Sequence, residues 1–231
     1  MRFFYATVIH DPHILDADET KHVARVLRAS KGDTVVLTDG LGRLYEGVIV
    51  SLDKRNCVLK THLIQTVPAP APSLTLVIAP PKSTDRFEWL LEKAMEMGVH
   101  TIQPVWTERS ERRLEKADRW KRVLISALKQ SQQAWLVDLR PACTWESWVT
   151  DAPGNGFIAH CEPGEKRHLF QSVVPGQDAW IAIGPEGDFT PSEIELALSQ
   201  GAAAVSLGDH RLRTETAGLA AIQAFHLAQL R

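Results

Sequence analysis

Cysteine is scarce in this chain. Cys57, Cys143 and Cys161 are odd in number, far apart and without a CxxC pair, so neither a disulfide framework nor a zinc site is expected. Long hydrophobic runs are missing as well. No apolar stretch approaches the ~20 residues of a membrane span, and no charged-then-apolar leader precedes the first strand, so a cytoplasmic protein with no membrane contact is expected. Neither sign of charge dominates, and a formal net charge of -2 argues against indiscriminate coating of nucleic acid. Two phosphate-binding fingerprints are absent. No GxGxxG follows a first strand and no GxxxxGKS or GxxxxGKT occurs, which argues against the dinucleotide and P-loop classes. What is present is an ordinary globular composition, 44% hydrophobic and 23% charged over 231 residues, enough for one large domain or two modest ones.

Residues 1 to about 66 read as a small β-rich domain with one helix. Strands are expected at Arg2–Ile9, Thr34–Thr38, Leu44–Ser51 and Cys57–Gln65, and a helix at Asp18–Leu27; the short strand spacing suits a small barrel. His10 and His13 have metal-like spacing, but beside Pro12 and with no further ligand nearby they read as a turn. The alternating prolines of Val67-Pro68-Ala69-Pro70-Ala71-Pro72 favour an extended, semi-rigid spacer, so domains of 1–70 and 71–231 are expected. Beyond it Leu74–Ala79, Thr101–Trp106 and Phe157–His160 read as strands. Asp85–Met97, about Lys116–Gln133 and Glu165–Val173 read as helices. This β-α-β-α order predicts an α/β domain with a parallel sheet and right-handed crossovers. From Glu108 to Arg122 seven Lys or Arg stand against four acids, which is either a solvated face laced with ion pairs or a local basic strip for phosphate contact.

The most informative stretch is Asp178–Phe225. Two short buried-strand signals, Ala179–Ile183 and Ala203–Leu207, each run into a glycine-bearing polar loop, 184–188 and 208–211, and each loop is followed by a helix. Ligands of open α/β sheets bind where strand carboxyl ends feed their loops, so two such loops suggest one shared pocket. The first helix has Thr190 as cap, Pro191 at its first position and Glu193 to complete a capping box. The second, about Thr214–Leu230, is apolar over most of its circumference, which hints at an oligomer interface or at threading into the fold.

The strings IGPEGDF (183–189) and LGDHRLRTETAG (207–218) resemble the two signature motifs of the RsmE family of ribosomal RNA methyltransferases, within the SPOUT superfamily. Lys82 followed by a helix ending EKAMEMGV, IQPVWTERS at 102–110, the pair Gln130-Ser131, and His22-x-x-x-Val26-Leu27-Arg28 are also similar to the family, so the resemblance covers nearly the whole chain. The chain departs from the family at Lys129, where Glu is usual, at Gln133, where Arg is usual, and at Asp209-His210-Arg211, where Pro-Arg-Ile often stands. These departures put in doubt any role of the missing Glu and Arg, and less so the cofactor pocket.

The resemblance implies a PUA-like RNA-binding β-barrel followed by a SPOUT domain that holds S-adenosyl-L-methionine in a deep trefoil knot. It further implies a homodimer, with the cofactor pocket near the subunit interface. The implied reaction is methylation of N3 of a uridine, the one at rRNA position 1498, in the 16S rRNA of the 30S subunit. The alternatives are a SPOUT enzyme acting on another rRNA or tRNA nucleotide, or an RNA-binding factor that lost turnover. Cofactor contacts are expected from Gly184, Pro185, Glu186, Gly187, Gly208 and Thr214, whose loops bring main chain close to adenine or ribose. Ile183, Leu207 and Leu212 would line a slot for the purine, and His160, in a His-Cys-Glu that looks like the family's His-Pro-Glu, would make a third contact. N3 methylation requires loss of the imide proton, so Arg213 is expected to stabilise the developing anion, and Glu215 or Glu186 to orient the ring or take the proton. A competing role for Glu215 is to cap its helix and pair with Arg213. Arg25, Arg28, Lys82, Arg109 and Arg112 are the candidate RNA contacts.

Overall fold

The structure, a computed structural model, describes residues 2–53 and 55–231. The chain divides into two compact units, Met1–Ala69 with Ile125–Leu136, and Pro70–Leu124 with Val137–Arg231.

The first unit opens with strands β1 (Phe3–Tyr5) and β2 (His13–Ile14), then helix α1 (Ala17–Lys21) continued by a wider π turn over His22–Val26, then β3 (Thr34–Thr38), β4 (Arg43–Leu52) and β5 (Cys57–Thr66). They form a curled sheet in the order β1-β3-β4-β5-β2, parallel only between β1 and β3. Two register shifts between β4 and β5, with Ile64 the extra residue on β5 and Val50 the extra residue on β4, bend it, as an unpaired residue on one strand does. Phe4, Val23, Val35, Leu37, Ile49 and Leu59 fill its core. The expected first strand is cut to three residues, paired with Val36, Leu37 and Thr38, and stops where β3 ends. The expected helix Asp18–Leu27 changes pitch midway and is closed by Arg28 at φ 50, with the Ala29 N–H bonded back to Val23 O at 3.1 Å. Residues 125–136 belong to this unit: Ala134 O accepts from Thr38 Oγ1 at 3.1 Å and from Gly42 N at 3.0 Å, and Lys129 pairs with Glu19 at 2.6 Å.

The second unit continues with β6 (Leu74–Ile78), α2 (Thr84–Glu96), β7 (Thr101–Trp106), α3 (Ala117–Ser131, whose second half is counted with the first unit), β8 (Asp138–Leu139), β9 (Cys143–Thr144), α4 (Trp145–Thr150) and β10 (Gly156–Ala159). It ends with β11 (Arg167–His168), α5 (Leu169–Ser172), β12 (Ala179–Ile183), α6 (Pro191–Ser199), β13 (Ala203–Ser206) and α7 (Thr214–Ala228). All its strand pairs are parallel, in the order β11-β13-β10-β12-β6-β7-β8, with β9 also on β7. Strand residues alternate between two covered faces. Val77 points to the cluster of Trp145, Trp180, Phe189 and Ile194 under α4 and α6, whereas Leu76 and Ile78 meet α2 and α7. The expected helix Glu165–Val173 is mostly absent. Arg167 and His168 pair instead with Val205 and Ser206, leaving four helical residues begun by a His168 side-chain cap. Here edge pairing overrides local helix preference.

Candidate functional site

β10, β12 and β13 are in register: Ala159 lies beside Ile183 on one side and beside Val205 on the other. Their carboxyl ends are therefore level, and the three following loops emerge together with the first turn of α7 around a cavity of about 600 Å3. That size falls in the ~300–1,000 Å3 range of small-molecule sites.

The loop after β12 is held from several directions. A Cβ on Gly184 would sit 3.1 Å from the Phe189 backbone nitrogen, so this close fold-back favours glycine there. Asp188, at φ 64, accepts from Cys161 N–H at 2.7 Å and thereby joins this loop to the one after β10. Thr214 Oγ1 donates to Gly184 O at 3.1 Å and ties in the start of α7. Arg109 donates to Gly187 O at 2.8 Å and Phe189 O at 3.3 Å, and the Lys82 N–H donates to Glu186 Oε1 at 3.2 Å. The capping box read from the sequence is formed: Glu193 N donates to Thr190 Oγ1 at 3.3 Å, and Thr190 N donates to Glu193 Oε2 at 2.8 Å. Glu193 Oε1 also accepts from Glu108 N–H at 2.7 Å.

The loop after β13 is organised locally. Gly208, at φ 122, donates its N–H to Ser206 Oγ at 3.0 Å and accepts from that hydroxyl at 3.1 Å. Arg211 and Arg213 follow on the cavity wall, both exposed. On the third loop His160 is partly buried, and its Nδ1 is buried without a hydrogen-bond partner among the described residues. Burial, helped by the Lys166 charge, pushes its pKa below the ordinary 6.5 against the pull of Asp188 and Glu162, so the ring is neutral at pH 7.

Of the residues expected to hold a cofactor, His160, Ile183, Gly184, Pro185, Glu186, Leu207, Gly208, Leu212 and Thr214 line the cavity. Gly187 does not; it faces the Arg109 side chain, whose Cβ would be 3.3 Å from an added Cβ. Arg213 lines the cavity too. Glu215 does not. It is 7% exposed, with Oε1 3.7 Å from Arg86 Nε on α2, so its partner is Arg86 and not the expected Arg213. The sequence reading missed Asp188, Lys166 and Arg211 as cavity residues. The neighbouring glycine in the motif was a usable signal for Asp188, because aspartate tolerates the left-handed region better than most residues.

The RNA candidates are dispersed in role. Lys82 Nζ pairs with Glu111 at 2.6 Å, and Arg109 is engaged by the loop after β12. Arg25 and Arg28 are exposed on the first unit. No hydrogen bond or ion pair engages Arg112 among the described residues. Much of the Glu108–Arg122 strip is engaged by neighbouring parts of its own unit: Arg113 donates to Thr107 O, Lys116 to Thr84 Oγ1, and Arg119 to Glu88. The apolar circumference of α7 is largely buried within the chain against α2, α5, β6 and β12, so it does not by itself call for a partner subunit.

Residues 68–226 match the RNA methyltransferase domain family and residues 15–61 the RNA methyltransferase PUA domain family. The ribosomal RNA small subunit methyltransferase E of Synechocystis sp. is 32% identical, covering 94% of this chain and 76% of the relative. Among solved structures, a probable rRNA-methyltransferase from Porphyromonas gingivalis is 40% identical with a TM-score of 0.92, covering 100% of this chain and 99% of that one. The ribosomal RNA small subunit methyltransferase E of Neisseria gonorrhoeae, bound to S-adenosyl methionine, is 30% identical with a TM-score of 0.81 over 98% and 97%. A PUA-type unit joined to a parallel α/β unit of this kind places the chain within that group: it belongs to the family of RNA methyltransferases that includes ribosomal RNA small subunit methyltransferase E.

Proposed function

We propose that this chain transfers the methyl group of S-adenosyl-L-methionine to N3 of a uridine in the 16S rRNA of the small ribosomal subunit, in the cytoplasm. The observation that carries the reading is the cavity at the level ends of β10, β12 and β13, with Arg213 on its wall. The residues present fit the cofactor. His160 has a buried nitrogen without a partner, the two glycine loops expose main chain, and Ile183, Leu207 and Leu212 are apolar enough to face a purine. When bound, the cofactor supplies an electrophilic sulfonium methyl.

The protein's own contribution is to position the uracil and manage its proton. Arg213 is exposed on the cavity wall, and no hydrogen bond or ion pair engages its side chain among the described residues, which leaves its guanidinium available to a uracil oxygen as negative charge develops on the ring. Glu186 lines the cavity with Asp188 and Asp209, and in this reading it orients the ring or takes the N3 proton. Glu215 instead holds the start of α7 through Arg86. Arg25 and Arg28 on the first unit, with Lys82 and Arg112 on the second, contact RNA phosphates. A homodimer is supported by apolar side chains left exposed near the end of α7: Leu227, Leu230 and Val174 are 44%, 81% and 45% exposed. Sedimentation of the wild type against Leu230→Lys tests it, with a purely monomeric wild type as the contrary result.

The deciding experiment incubates 30S subunits from a strain lacking this activity with the protein and S-adenosylmethionine, followed by primer extension across the 3′ end of the 16S rRNA. A methyl on N3 blocks base pairing, so a new cofactor-dependent stop is expected. Label entering the RNA without a stop would place the methyl elsewhere.

A further inference from the structure

A small pocket on the second unit, beside the amino end of α2, has no part in the cofactor site. Thr84, Phe87 and Trp120 line it together with Lys82, Arg112 and Lys116, and its lining includes no acid. Two independent features mark it as a place for an acceptor. Trp120 is 3% exposed, and its Nε1–H is buried with no partner among the described residues. Such a donor is costly to leave unsatisfied. Phe87 packs edge-on against the indole, with ring centroids 4.7 Å apart, and fixes its orientation. Ser83 begins α2 without a side-chain cap bond, and Thr84, the first residue of this 13-residue helix, lines the pocket.

The free room is about 10 Å3, enough for roughly one oxygen atom and too little for a whole phosphate or a base. We infer that this pocket seats one non-bridging oxygen of an rRNA backbone phosphate, with Trp120 Nε1–H as a donor and Lys82, Arg112 and Lys116 as counter-charge. Lys82 then exchanges Glu111, now 2.6 Å away, for the phosphate, and Lys116 exchanges the Thr84 hydroxyl, now 3.3 Å away. The Lys82 backbone N–H is bonded to Glu186 on the cofactor cavity, which places this phosphate close to the target nucleotide. The assignment rests on RNA being the substrate.

Through-bond assignment of the seven tryptophan indole N–H signals in the full chain, followed by titration with a short RNA containing the target stem, tests it. The Trp120 indole proton is expected to move downfield with RNA and to stay in place with S-adenosylmethionine alone. Trp120→Phe keeps a ring and removes the donor, and should raise KM for 30S subunits about fivefold. Arg112→Gln should lower the salt slope of RNA binding by about 1. A Trp120 signal that stays still while other residues report RNA binding overturns the seat and leaves water as the occupant, and an unchanged KM in Trp120→Phe overturns it equally. A wild type that binds no RNA and methylates no subunit brings down the functional reading, and the seat with it.

Discussion

The two glycine loops that wall the cavity are built in opposite ways. The loop after β12 is pinned by long-range bonds: Arg109 reaches it from 78 residues away, the Lys82 N–H from 104, Thr214 from 30 and Cys161 from 27. The loop after β13 is held by the exchange between Ser206 and Gly208, two residues apart, and by the conformation of Gly208. The first is therefore a fixed wall whose geometry belongs to the whole unit. The second can adjust with little disturbance elsewhere, and it carries the exposed cations Arg211 and Arg213. A methyltransferase needs both kinds, since one surface must hold the cofactor still while another closes on a bulky substrate.

Removing the cation proposed to meet the uracil, on the adjustable loop, gives the largest expected effect. Arg213→Ala should lower turnover about 10²–10³-fold, the range for losing a charge-stabilising donor, while calorimetric affinity for S-adenosylmethionine is retained. Full turnover in that variant would remove Arg213 from the chemistry. Next comes the fixed wall. Arg109→Ala deletes two bonds to loop carbonyls and should weaken cofactor binding about tenfold, whereas Ser206→Ala, cutting only local and solvent-accessible bonds, should weaken it about twofold. Equal losses would abolish the contrast between the loops.

A pH titration probes the third loop. Because His160 has a lowered pKa in the folded chain, the unfolded chain binds more protons between that value and 6.5, so the His160 contribution to stability is present above 6.5 and is lost as pH falls through this window. Cofactor affinity should fall in the same window if neutral Nδ1 accepts from the ligand, and His160→Gln should flatten that dependence. Burial also lowers His13 and His226, so stability alone cannot isolate His160 and the binding comparison is the one to make. The smallest effect lies just beyond the fixed wall. Thr190→Ala breaks the capping box of α6 and should cost about 1 kcal/mol, or about 2–4 °C in Tm, measured by thermal unfolding.

Much of the cavity wall was legible from residue order. Ala179–Ile183 is an apolar run bounded by Gly184, and Thr190-Pro191-x-Glu193 is a start signal for a helix, because both depend on groups a few residues apart. Strands Thr34–Thr38 and Thr101–Trp106 likewise have the bounds their composition suggests. The two-residue strands His13–Ile14, Asp138–Leu139 and Cys143–Thr144 were not legible, since each exists only by pairing with a longer neighbour. The same holds for Arg167-His168, where a helix was expected and an edge pairing formed.

By itself the sequence determined a β-rich unit, a proline-bearing connection and a parallel α/β unit whose last two strands feed glycine loops. Periodicity, turn chemistry and capping are local, and they were sufficient for that. Only the tertiary structure decided which charges face the cavity. It turned Glu215 inward to Arg86, engaged Arg109 on the carbonyls of the loop after β12, brought Asp188 to Cys161, and returned residues 125–136 to the first unit. A charged side chain on a polar stretch looks the same whether it meets water, a carbonyl or RNA. Its partner is chosen by groups far away in sequence, and until those groups are placed its role is open.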